Sequence, residues 1–205
     1  MAARLPRLML VTDRHETRGR DLVEVVTEAV GGGVELVQVR EKDLPDDELL
    51  ALVLRLKASL PPGVRLLVNG RPAVARAAEV GLHLAAAARG DGPLPALYGR
   101  AAHDEVEARR AMTESVAYLL VGPVFPTTSK PGHPGSGLGL VSRVSQLVAP
   151  TPVFAIGGMT PDTVGRTLRS GAHGVAVRSA ILAAPDPLRA ARGLAHAIAR
   201  AAASA

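Results

Sequence analysis

The chain has 205 residues, 47% of them hydrophobic, yet it holds only two Phe, two Tyr and no Trp. Its core must therefore be built from Leu, Val, Ala and Ile, a composition suited to parallel strands buried on both faces. The absence of Cys excludes a disulfide framework, a thiolate metal site and a cysteine nucleophile. The net charge of +5 comes from Arg scattered along polar segments, with almost no aromatic surface for base stacking, which points away from nucleic acid and toward a small anionic ligand. No run approaches membrane-spanning length, and the Met1-Ala2-Ala3-Arg4 start lacks a signal peptide's apolar core, so one cytoplasmic domain over 1–205 with no membrane partner is expected.

In chain order, short β-branched or Leu-rich runs alternate with polar turns and amphipathic stretches. A strand at 8–12 precedes a helix at 21–30, and a strand at 34–40 precedes a helix at 46–59. Strands at 64–69 and 81–85 flank a helix at 72–79. The fourth connection, 86–95, is rich in Gly and Pro and only partly helical in expectation. Strands at 97–102, 117–124, 152–157 and 174–178 follow, with helices at 104–113, 140–148, 161–170 and 185–203. Asp46, Asp104 and Thr160-Pro161 stand at helix-start positions. Eight regular βα units place the chain in the α/β class as a closed (β/α)8 barrel, the TIM barrel, with a doubly wound open sheet as the alternative.

The segment 126–139 carries three Pro and four Gly with no hydrophobic period. Following the sixth strand, it is expected at the C-terminal mouth of the barrel as a mobile lid, with Thr127, Thr128, Ser129 and Lys130 supplying hydroxyls and a cation, although a solvated polar loop would read alike.

Ala155-Ile156-Gly157-Gly158-Met159-Thr160-Pro161 ends one strand and opens one helix. Paired glycines let backbone N–H groups approach an anion, and the positive end of the helix adds to the attraction. The next strand ends in Val177-Arg178-Ser179, offering further donors. Turns after the seventh and eighth strands build phosphate sites in many barrels, so Gly157, Gly158, Val177, Arg178 and Ser179 are the expected phosphate grip. A lone Gly-Gly pair is equally a tight turn.

Gln38-Val39-Arg40-Glu41-Lys42 alternates, so Gln38, Arg40 and Lys42 project to one side of a strand end. An unpaired Arg facing the barrel interior is costly to bury and a bound anion would satisfy it. A pair with Glu41 or Glu48 would do so as well. Asn69-Gly70-Arg71 brings an amide to the same mouth.

With these motifs in order, including Leu10-Val11-Thr12-Asp13, Gly81-Leu82-His83-Leu84 and Gly122-Pro123-Val124-Phe125-Pro126-Thr127, the chain resembles the superfamily of thiamine phosphate synthases and TenI-type thiazole tautomerases over nearly its whole length. In the synthase, the resemblance implies that hydroxymethylpyrimidine diphosphate ionises with its diphosphate held by Mg²⁺ and cations, after which a thiazole nitrogen attacks. Gln38, Arg40, Lys42, Asn69 and Lys130 match that cradle, and Thr127 and Ser129 match hydroxyls of the lid and thiazole phosphate region. The family's two metal-holding Asp residues, however, are Gly70 and an Ala within Ala85-Ala86-Ala87-Ala88, and a strand-five Ser is Ala101. Asp91 is a conceivable replacement that reads better as a turn residue.

Those losses point to the tautomerase branch, which aromatises a carboxylated dihydrothiazole phosphate by a proton shift and needs no metal. That branch carries a His after the strand-six Gly, where this chain has Pro123, so the acid/base is expected at His133 on the lid or at His103, with His83 as a core histidine or a further candidate. The leading expectation is thus a metal-independent thiazole tautomerase with no cofactor, Arg40 and Lys42 drawing the substrate carboxylate. The alternatives are a thiamine phosphate synthase using Mg²⁺ and a non-catalytic binder of thiazole or thiamine phosphates. The family suggests a homodimer, and Ala-rich helix faces at 190–203 suit packing either between subunits or within one.

Overall fold

The computed structural model describes residues 5–89, 92–127, 132 and 134–203. Eight parallel strands close into a barrel in sequence order: β1 (Leu8–Val11), β2 (Leu36–Val39), β3 (Arg65–Asn69), β4 (Gly81–Leu84), β5 (Tyr98–Ala102), β6 (Tyr118–Val121), β7 (Val153–Ile156) and β8 (Gly174–Val177). Closure is completed where β8 pairs with β1 through Met9 opposite Ala176. The helices are α1 (Leu22–Gly31), α2 (Asp46–Ser59), α3 (Pro72–Ala78), α4 (Glu105–Ala111), α5 (Gly137–Leu147), α6 (Pro161–Arg169), α7 (Ser179–Leu182) and α8 (Pro187–Ala203).

Alternation along each strand divides two cores. Outward residues such as Leu10, Val37, Val68 and Val175 join the helices' apolar stripes, as α2 shows with buried Leu49, Val53 and Leu56 on one face. Each such side chain taken fully from water contributes roughly 1.5–3 kcal/mol. Inward residues Met9, Leu36, Leu67, Tyr118, Phe154 and Ala176 fill the barrel itself. Gly99 is required there, because a Cβ at that position would lie 2.1 Å from the Tyr118 ring. The Tyr118 ring in turn meets Phe154 edge-on at 5.4 Å.

Several expected boundaries shift. Pro45, not Asp46, is the cap residue of α2, and Asp46 in its first turn pairs with Arg71 at 2.9 Å. The fourth connection holds no helix among its described residues. A short 3-10 turn at Arg14–Glu16 and the helix α7 are additional to the expected elements, both too short to leave a period in the sequence. α5 begins at Gly137, three residues before its expected start, taking up the end of the glycine-rich segment. The Ala-rich α8 buries Ala191, Leu194, Ala197 and Ile198 and packs on α6 and α1 within the chain. Among the described residues no helix is long and apolar enough to cross a membrane.

Candidate functional site

At the C-terminal mouth of the barrel, the β7–α6 turn is shaped by its neighbours. Gly157 and Gly158 take φ of +101° and +64°, a region that L side chains avoid. A Cβ on Gly157 would lie 2.7 Å from Pro123, and one on Gly158 would lie 2.6 Å from Phe125 and 2.8 Å from the Pro126 carbonyl oxygen. The turn therefore packs directly on the chain leaving β6, and the Phe125 N–H donates to the Gly157 carbonyl at 3.2 Å. The N–H groups of Gly157 and Gly158 donate to no backbone carbonyl among the described residues. Beside them, Ser179 opens α7, whose first N–H groups have no intrahelical acceptor. Donors thus converge where an anion fits.

Val177 contributes main chain alone, since its side chain is buried in the outer core. The Arg178 guanidinium, expected in the phosphate grip, reaches Asp13 at 3.4 Å and Glu16 at 2.6 Å. Sequence reading assigned no role to those two carboxylates; they come from the unforeseen 3-10 turn after β1.

The side formed by β1 to β4 is built from side chains. Thr12 is buried, donates to Glu41 at 2.5 Å and accepts the Arg40 N–H at 3.0 Å. Arg14 binds Asp43 through two 2.7 Å hydrogen bonds and also reaches Glu41. Asn69 donates to Gln38 at 3.3 Å, and His83 Nδ1 lies 2.9 Å from the Tyr118 hydroxyl. Gln38 and His83 are almost wholly buried, so they form the floor of the mouth rather than its rim. Burial, reinforced by the charges of Arg40 and Arg100, lowers the His83 pKa to about 3. His83 is therefore a neutral core histidine.

The expected co-projection of Gln38, Arg40 and Lys42 is only partly realised. β2 ends at Val39, so alternation stops before Lys42, which is exposed in a turn and accepts from Arg71 through its carbonyl. Arg40 is partly buried, and neither expected partner takes it: Glu41 is engaged by Thr12 and Arg14, and no ion pair forms with Glu48. Arg14, Arg71, Arg100 and Arg178 all hold carboxylates, whereas Arg40 has no ion-pair partner among the described residues. Burial and the nearby Arg178 charge lower its pKa, so an anion beside it would relieve both effects.

His103 is engaged by its own helix: its ring Nδ1 and its N–H both bind Glu107 one helical turn on, at 2.9 and 2.7 Å. Thr127 is partly exposed and ends the described stretch that follows β6. Ser129, Lys130 and His133, and the alternative metal residue Asp91, lie outside the described residues.

The described residues do not fit the Mg²⁺ that the synthase resemblance implies. Among the described residues no three His, Asp or Glu side chains come together as a metal site. Gly70 and Ala85 to Ala88 bring no carboxylate to the positions where the family has one, and the mouth carboxylates Asp13, Glu16, Glu41 and Asp43 are taken by arginines.

With this geometry in view, comparison with known families matches residues 8–181 to thiamine monophosphate synthase. The thiamine-phosphate synthase of Thermobifida fusca is 40% identical over 209 residues, covering 97% of this chain and 94% of that protein. That of Mycobacterium sp. strain KMS is 39% identical over 209 residues, covering 93% and 92%. Among solved structures, a thiamine phosphate pyrophosphorylase from Pyrococcus furiosus superposes with a TM-score of 0.82 at 28% identity, over 95% of this chain and 96% of that one.

Proposed function

Because the chain belongs to the thiamine monophosphate synthase family, we propose that it serves thiamine biosynthesis as a thiamine-phosphate synthase, coupling hydroxymethylpyrimidine diphosphate to a thiazole phosphate. The observation that carries this reading is Arg40, a partly buried cation with no ion-pair partner among the described residues, at the same mouth as the Gly157-Gly158 turn. Two anion-seeking zones at one mouth suit two phosphorylated reactants. The turns after β7 and β8 would anchor the thiazole phosphate. Arg40, with Lys42 and Lys130, would hold the diphosphate as the C–O bond to it breaks, the leaving group keeping the electron pair. The thiazole nitrogen then bonds to the pyrimidine methylene. Fixed cations aimed at a departing anion stabilise the charge that develops in the transition state.

The tautomerase expected at first draws no support from the relatives' names, and His103 is committed to Glu107. One observation still favours it as a second reading: Gly70 and Ala85 to Ala88 in place of the metal carboxylates, since a proton shift needs no metal. Incubation with both synthase substrates, read by mass spectrometry, separates the two. Formation of thiamine phosphate is the expected result. No coupling at any Mg²⁺ concentration, together with aromatisation of the carboxylated dihydrothiazole phosphate, would replace the first reading by the second.

A further inference from the structure

β5 carries an arginine at its centre, Tyr98-Gly99-Arg100-Ala101-Ala102. Gly99 faces inward against Tyr118, so alternation turns Arg100 outward, into the space between β4 and β5 that elsewhere in the barrel a helix covers. Its side chain is 7% exposed. Arg100 Nη1 donates to the carbonyls of Ala85, Ala86 and Ala88 at 2.8, 3.4 and 2.5 Å. Its other two nitrogens grip Glu114 on the turn before β6, Nε at 3.0 Å and Nη2 at 2.7 Å, and the Tyr98 hydroxyl donates to the same carboxylate at 2.5 Å. Three carbonyls of one loop thus converge on one cation, and that cation is anchored by a matched carboxylate from another element.

The clamped loop is Ala85 to Ala88, the mouth wall beside β3, where the Gly70 N–H also bonds the His83 carbonyl at 2.8 Å. It is the segment in which the family places a metal-holding carboxylate and this chain has none. Alanines offer no side chain by which such a loop could hold itself or a ligand in place. Because Glu114 balances the charge of Arg100, the guanidinium acts here through directed hydrogen bonds rather than as a free charge for substrate.

We propose that Arg100 is a positioning residue that fixes the β4 wall of the mouth against which a diphosphate is held. This rests on the reading that the mouth accepts a diphosphate, but its test does not require turnover. Inorganic pyrophosphate is titrated by calorimetry into the wild-type and variant proteins, with thiazole phosphate as a second probe for the β7–β8 side. Arg100→Leu should weaken pyrophosphate about ten-fold, the scale of one hydrogen bond to a charged group, leave thiazole phosphate affinity unchanged and speed amide exchange at 85–89. Arg100→Lys should recover part of the loss, because an ammonium still donates to carbonyls but cannot fork onto Glu114. Should Arg100→Leu fail to fold, Glu114→Gln loosens the same clamp and should give a smaller loss confined to pyrophosphate. Wild-type pyrophosphate affinity in a folded Arg100→Leu protein overturns the proposal. Failure of coupling in the assay above, with this pyrophosphate pattern intact, would remove the synthase reading and leave the clamp standing.

Discussion

The two sides of the mouth are made of different material. On the β7–β8 side the proposed anion site is main chain: two glycines at positive φ, the opening turns of two helices, and tight packing against the residues after β6. On the β1–β5 side it is a web of side chains, in which Thr12, Glu41, Arg14 and Asp43 knit β1 to β2, Gln38 and Asn69 join β2 to β3, and Arg100 holds the β4 loop to Glu114. A main-chain site depends on conformation and fails when a Cβ is added. A side-chain web depends on partners, and fails when one is removed or changes its charge.

The largest test of this contrast is on the main-chain side. Gly158→Val adds a Cβ 2.6 Å from that of Phe125 at a φ of +64°, and strain plus overpacking should cost about 3 kcal/mol. Denaturant unfolding should show that loss, and thiazole phosphate affinity should fall with it. Stability and affinity both at wild-type levels would mean the turn is not built as described.

The next effect belongs to the side-chain floor. His83 is neutral with its pKa lowered to about 3, below the roughly 6.5 of an exposed imidazole. The unfolded chain takes up a proton on His83 below that higher value while the folded one does not. The contribution is therefore whole above about pH 6.5 and is lost as pH falls toward 3, amounting to about 2 kcal/mol at pH 5. Unfolding at pH 7 and pH 5 should show this acid loss, and His83→Gln should flatten the difference. A mutant with the same pH slope as the wild type would place the titration elsewhere.

Arg40 should give the smallest change in stability and the clearest separation of fold from function. It is partly buried without an ion-pair partner among the described residues, so Arg40→Met should leave the melting temperature unchanged or raise it slightly. Pyrophosphate affinity should fall about ten-fold, as for one lost charge-assisted contact. A destabilised protein with unaltered affinity would show Arg40 to be structural.

Much of the fold was legible because barrel strands follow a local rule. Every expected strand lies where one formed, trimmed at its ends, since apolar runs between turn residues mark strands that are buried on both faces. α2 was bounded correctly at 46–59 by its period and flanks. The short elements, the turn at Arg14–Glu16 and α7, were missed because three or four residues cannot display a period. Gly157 and Gly158 were legible as a tight turn because the chemistry of a turn is encoded at the turn itself.

The rest depended on partners far apart in sequence. Nothing near Arg178 in the sequence announced its pairs with Asp13 and Glu16, which lie 165 and 162 positions earlier. Lys42 lost its expected alignment because β2 stopped at Val39. Arg100 left only one trace in the sequence, a charge at the middle of a buried strand, and nothing local tied it to Glu114 or to the carbonyls of Ala85, Ala86 and Ala88. By itself the sequence determined the eightfold alternation, the glycine turn and the missing carboxylates, because each of these is a property of contiguous residues. Which arginines at the mouth are spent on carboxylates was decided only when closure of the barrel brought distant charges within reach of one another.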